Sequence, residues 1–389
     1  MVVTRISVSG DVLVWARKTA GLDVDTAATR IGVKVGRLLS WESGDLDPTM
    51  NQLRSIAKTY HRPLAALFLS APLQNEVREQ LPDYRRRQTQ AEVDPRALQS
   101  AVMRARRQRD ALRDIADELD WPDNERVANF SLSSSESVED LGLKLRQVMQ
   151  LDLLPKSTVR HPDQMLRAMI RRAEDLNVNV IQVQRVSVKV MRGFSLGEGA
   201  CPVIALNGSD WPRGKIFTLL HEIAHVGFSG SGLCDLEQDH DPEIEKKCNE
   251  IAAATLMPAK RFSAMLSKFQ VQLTVDDARG VGNEFGASGE AAVLRMISLG
   301  LATWDDYRRL KEEFEGAYQQ YKDEEKSRNS GEAPPIFYQL RARDLGRGFI
   351  QNVLSAYGES AISSRDLVQL LGVSFDKVPK LAATIGENF

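Results

Sequence analysis

The sequence predicts a multidomain, mainly α protein: an all-α helix-turn-helix unit first, an α+β unit in the second half and a helical unit at the end. Three observations carry that prediction. Residues 10–70 show apolar residues at helical spacing broken by glycine turns, three β-branched runs crowd between Val178 and Leu206, and FTLLHEIAH at Phe217–His225 sets two histidines and a glutamate in an apolar helical stretch.

At 389 residues the chain is long enough for two to four units that each bury a core. Its 42% apolar and 27% charged residues are ordinary for a globular protein. A net charge of −2 supplies no global field for nucleic acid, so any DNA contact must come from a local patch. Cys201, Cys234 and Cys248 form no CxxC pair, which points to reduced thiols in the cytoplasm. The amino terminus lacks the pattern of a signal peptide, and no apolar run approaches the ~20 residues of a membrane span. The expected location is therefore cytoplasmic, with no membrane partner.

Residues 1–72 form the first expected domain. Its helices run from Asp11 to Thr19, from an Asp23 or Asp25 cap through Ile31, from about Lys34 to Glu42, and after Asp47-Pro48-Thr49 along a stripe of Leu53, Ile56, Ala57 and Tyr60. Helix, glycine turn, helix is the arrangement that offers its second member to a DNA major groove. Lys34, Arg37 and Ser40 would face the DNA. Nine basic against six acidic residues between Arg5 and Arg62 allow a modest set of phosphate contacts. Domain 73–155 reads as a helical connector, with Arg85–Arg87 and Arg104–Arg109 expected on a solvated, ion-paired face.

Residues 156–321 form the expected α+β domain. Val178–Val183, Val186–Gly193 and Pro202–Leu206 suggest a small antiparallel sheet, with the last strand, just before the FTLLHEIAH helix, as the edge of a cleft. Trp304 and Tyr307 are expected in its core. The polar stretch 322–335 ends in two prolines and reads as a linker, and 336–389 as a helical accessory domain.

On a helix His221 and His225 lie one turn apart on one face, where two imidazoles can hold one Zn²⁺ at about 2.0–2.1 Å. Glu222 is then placed to act as general base toward the attacking water. A third ligand is sought on the next helix, where Glu245, Cys248, Asn249 and Ala252 share a face and Ala252, Ala253 and Ala254 permit close helix packing. Glu245 is the expected ligand, with Glu243 and Glu250 as rivals. Asn249 would hold a ring N–H of a ligand histidine. Cys248 reads as a packing thiol, and His240 as a lesser candidate for steadying an oxyanion.

Arg192–Leu196, Pro202–Asn207, Phe217–His225, Glu245 with Cys248-Asn249, and Leu256–Pro258 together resemble the ImmA/IrrE family of metallopeptidases over roughly residues 160–310. Ile31-Gly32-Val33, Leu38, Trp41, Glu42, Gly44, Pro48, Leu53 and Ile56-Ala57 resemble the repressor-like helix-turn-helix modules of Cro and phage repressors. Val35 and Gly36 replace that family's usual polar residues. Arg62–Phe68 resembles the module joined to the peptidase in longer family members. The resemblance implies a zincin-like domain related to thermolysin-like proteases and a cytoplasmic zinc endopeptidase acting in gene regulation. Its implied partners are DNA and a repressor or antitoxin-like protein that it cuts. A homodimer is allowed, and phage or stress-response genes are the family's usual setting. The rival class is a non-enzymatic helix-turn-helix transcription factor or antitoxin with structural zinc, marked by a fourth ligand such as Cys234 or His240.

Overall fold

Apolar residues at three- and four-residue spacing make helix the dominant element of the chain. The computed structural model describes residues 5–20, 22–60, 62, 64–71, 95–122, 128–197, 199–229, 242–266, 273–314, 316 and 337–387. The chain divides into two compact units, residues 1–80 and 81–389.

The first unit holds α1 (Gly10–Thr19), α2 (Val24–Ile31), α3 (Val35–Glu42) and α4 (Met50–Thr59), followed by a 3-10 turn at Leu64–Phe68. Of the two candidate caps for α2 it is Asp23 that accepts the Thr26 N–H, at 2.7 Å. Gly32 ends the helix at φ 81°, a conformation that favours glycine, and so makes the sharp turn into α3. Thr49 and Gln52 form a capping box that starts α4. Leu13, Leu38, Trp41, Leu53, Ile56 and Tyr60 close one core. Beside it Arg17 donates two hydrogen bonds to the Glu42 carboxylate, at 2.6 and 2.9 Å. That buried bidentate pair ties α1 to the end of α3.

The second unit is built on a three-stranded sheet, β1 (Asn179–Val183), β2 (Gly193–Leu196) and β3 (Val203–Asn207), in the order β1-β3-β2. Strand alternation sends Val203 and Ala205 to one face and Ile204 and Leu206 to the other. Against the first face packs the amino-terminal half of α5 (Pro95–Glu118), through Leu98, Ala101, Val102 and Ala105. The second face joins the main core, shared with α6 (Val138–Val148), α8 (Pro162–Glu174), α9 (Pro212–Ser229) and α10 (Pro242–Leu256). The short helix α7 (Lys156–Arg160) precedes α8, while α11 (Ala259–Leu266), α12 (Val275–Phe285), α13 (Gly289–Ser298) and α14 (304–314) follow α10. Four more helices, α15 (Phe337–Leu345), α16 (Arg347–Gly358), α17 (Ser364–Leu371) and α18 (Val378–Ile385), complete the unit.

Several sequence expectations need correction. The sheet is mixed, because β1 runs parallel to β3 and only β2 is antiparallel. The run 186–193 is mostly turn, pinned where the buried Asn207 side-chain amide donates to Val186 O and Met191 O. β3 is paired on both sides and is no cleft edge; among the described residues the open edge of the α9 side belongs to β2. The stretches expected as connector and accessory domain share one core: Leu112, Ile115 and Ala116 of α5 pack with Phe349, Ile350, Val353 and Leu381. Arg104 is half-buried against the sheet and donates to Gln182 O at 3.1 Å, and burial lowers its pKa. Trp304 is 58% exposed, so only Tyr307 is partly covered. Arg85–Arg87 and the linker 322–335 lie outside the described residues. No helix among the described residues is long and apolar enough to cross a membrane.

Candidate metal centre

Helix α9 is anchored before it reaches the histidines. Asp210 accepts the Trp211 N–H at 2.8 Å, and Arg213 donates to Ala287 O at 3.1 Å and to Asn283 Oδ1 at 2.7 Å. Ile216, Leu219, Leu220, Ile223 and Ala224 are fully buried, so the helix is fixed on its apolar sides and the histidine face has one direction left.

His221 and His225 bring their Nε2 atoms to 3.0 Å of each other. Glu245 of α10 sets Oε2 at 3.3 Å from His221 Nε2 and Oε1 at 3.2 Å from His225 Nε2. Ligand atoms bound tetrahedrally at about 2.0–2.1 Å lie about 3.3 Å apart, so these three separations suit Zn²⁺. The donor set, two imidazoles and a carboxylate, suits it too. Two facing imidazole nitrogens repel unless a cation or a proton lies between them. Burial would raise the Glu245 pKa, but hydrogen bonds from His221 and His225 and their charge hold it well below the usual carboxylate range.

Among the described residues His221, His225 and Glu245 are the one group of three such side chains with ligand atoms within 4.8 Å of one another. Glu222 stands outside it, buried against β2. A Cβ added at Gly193 would lie 3.4 Å from Glu222 Oε1, 2.4 Å from Thr218 Cγ2 and 3.1 Å from Ala205 O. Glycine at 193 therefore lets the strand lie directly on the helix that carries Glu222.

Helix α10 is held in place by groups the sequence reading missed. Its last carbonyls lack helical partners. Arg146 donates to Thr255 O at 2.9 Å and to Leu256 O at 3.3 Å, while buried Arg295 donates to Met257 O at 3.0 Å. Glu139 joins this clamp by accepting from Arg295 and from the Ala259 N–H. A Cβ on Gly142 would come within 2.5 Å of Ala254 Cβ, so the small residues of α10 do admit a close neighbour, namely α6. A glycine inside the α6 pattern was the available signal; the arginines carried none, because surface pairing is the common use of that residue.

The other expected site residues fall as follows. Cys248 is fully buried in the main core. Asn249 is exposed, and His221 Nδ1 is buried with no hydrogen-bond partner among the described residues, so the two are not joined. Cys234 and His240 lie outside the described residues. In the first unit Lys34, the residue that caps α3, and Arg37 on the helix are exposed, and Ser40 is half-buried, its Oγ donating to Gly36 O at 2.9 Å. Leu39 of the same helix is 48% exposed.

Fold and site define a helical chain with an α+β unit that gathers a two-histidine, one-glutamate cluster on adjacent helices. Residues 173–296, which contain the whole cluster, match the IrrE N-terminal-like domain, the Peptidase_M78 family. No curated protein matches the chain. Among solved structures it is similar to a Mycobacterium tuberculosis transcriptional regulator at 16% identity and a TM-score of 0.29. That likeness covers 40% of this chain, which spans 46% of the regulator's length.

Proposed function

We propose that this protein is a DNA-associated transcriptional regulator with site-specific, zinc-dependent endopeptidase activity, and that it cuts a repressor or antitoxin-like protein. The observation that carries this reading is the convergence of His221, His225 and Glu245 beside a separate buried carboxylate, Glu222. Three protein donors leave room for a fourth ligand, the pattern of hydrolytic rather than structural zinc.

His221, His225 and Glu245 would hold the ion. Zn²⁺ bound there supplies the Lewis acidity that polarises a scissile carbonyl and acidifies water. Glu222 accepts a proton as water oxygen adds to the carbonyl carbon, then passes it to the amine nitrogen as the C–N bond breaks. The open edge of β2 suits an extended peptide, whose backbone would pair along Gly193–Leu196 and pass Glu222. The apolar walls of α9 keep Glu222 from bulk water and strengthen its electrostatics.

The first unit would supply DNA contact through α3, with Lys34, Arg37 and Ser40 toward the groove. Its basic excess is small, so phosphate contacts would be few.

The test is Glu222→Gln in the full chain, co-expressed with a candidate partner encoded beside the gene. The amide cannot accept a proton, and loss of general-base catalysis typically removes a factor of about 10² to 10⁴ in rate. The variant should keep its metal and its fold, bind the partner and leave it uncut. A Glu222→Gln protein that regulates as well as wild type would show that proteolysis is not its mode of action.

A further inference from the structure

A cleft of about 680 Å³ opens in the second unit between α5, α8, β1 and α16. That volume lies within the roughly 300–1,000 Å³ of small-molecule sites. None of His221, Glu222, His225 and Glu245 lines it. Helix α8 separates the two, because its Met165, Leu166, Met169 and Ala173 are buried in the core shared with α9.

The lining is of two kinds. Half-buried Trp121, Leu154 and Ala168 give it apolar surface. Three arginines, Arg171, Arg172 and Arg347, also line it, the first two one turn along the same helix face from Ala168. Two of them are held loosely by acidic neighbours: Arg172 lies 3.9 Å from Asp175, and Arg347 3.8 Å from Glu387, both beyond hydrogen-bonding range. Glu174, the carboxyl deepest among them, is engaged by the Gly348 N–H at 2.9 Å, and burial pushes its pKa up to about 7. Three arginines against the two carboxyl groups of the lining, Glu174 and Asp175, leave the cleft with an excess of positive charge.

We propose that this cleft binds a small organic anion, its apolar body against Trp121, Leu154 and Ala168 and its acidic head against Arg171, Arg172 and Arg347. Guanidinium groups recognise carboxylate and phosphate heads alike through paired N–H donors. The body must be compact, as an aryl or short branched group is.

Calorimetric titration of the full chain, at pH 7.5 and low salt, tests this with four probes: 2-naphthoate, 2-naphthyl phosphate, the neutral 2-naphthalenemethanol and inorganic phosphate. The two naphthyl anions should bind saturably at one site, and whichever is tighter names the head group. Both should quench Trp121 fluorescence, a signal absent from Trp121→Phe. The neutral alcohol and inorganic phosphate should each bind at least tenfold more weakly, since each offers half of the required chemistry. Arg172→Ala and Arg347→Ala should each weaken the anions about tenfold with unchanged thermal unfolding. His221→Ala should bind them as wild type does, which places the event outside the metal centre. No saturable binding of either anion at millimolar concentration overturns the proposal, as does equal binding of the neutral alcohol or unchanged affinity in both arginine variants.

Discussion

Placing a methyl group on Gly193 gives the most direct physical test of how the site is built. The new Cβ would sit 2.4 Å from Thr218 Cγ2, where carbon atoms normally rest about 3.5–4.0 Å apart. Strand β2 cannot slide away alone, because Gly193 pairs with Leu206 and Ser195 with Ile204. Nor can Thr218, which is 6% exposed on a helix packed on all its apolar sides. Overpacking of this size typically costs about 1–3 kcal/mol. Gly193→Ala should thus lower the urea midpoint of the second unit, and the shift that relieves the clash with Thr218 should move Glu222, whose Oε1 already lies at contact distance, 3.4 Å, from the added carbon. A displacement of about 1 Å there would cost on the order of 10² in rate. Thr218→Ser deletes the offending methyl and alone should cost on the order of 1 kcal/mol. In the double variant the two changes should compensate, leaving a coupling energy of about 1 kcal/mol or more in favour of the pair. Urea titrations of the four proteins, followed by far-ultraviolet circular dichroism, measure it. Simple additivity of the two changes, or full stability of Gly193→Ala, would refute the packing argument.

His221→Ala and His225→Ala should each abolish stoichiometric zinc in the purified protein, and Glu245→Ala should weaken it. Elemental analysis decides the matter, and full zinc in both histidine variants would sink the site. Arg37→Glu should weaken binding of the full chain to its own promoter, with a shallow dependence on salt; a wild-type protein that shifts no promoter fragment at low salt would remove DNA from the reading. Glu174 should make stability fall as pH rises. Its carboxyl is pushed from an ordinary 4.5 up to about 7 by burial, against the Gly348 N–H, Arg347 and Arg171, with Asp175 adding to the rise. Between those values the folded chain binds more protons than the unfolded one, so the stabilisation present below pH 4.5 is lost by about pH 7. After solvent screening the loss is on the order of 1–2 kcal/mol. Glu174→Gln should flatten that slope, and an unchanged slope in the variant would show that another group sets it.

What the sequence determined by itself was local. His221 and His225 share a helix face because 3.6 residues make a turn, Gly32 makes a turn because glycine tolerates φ 81°, and the apolar stripe of α4 needs no partner to be legible. Glu245 could be proposed from its place on the helix after the HEIAH stretch, since a third ligand had to come from an element able to approach closely. Tertiary structure alone decided the rest. Parallel pairing of β1 with β3 depends on contacts made across 24 residues of sequence, which period-two alternation cannot specify. Arg146 and Arg295 read as ordinary surface cations until the fold turns the carbonyl end of α10 toward them. The last four helices look like a separate tail in sequence, since helical amphipathicity names an apolar face and not what covers it. Leu112 and Ile115, more than 200 residues earlier in the chain, turn out to cover it.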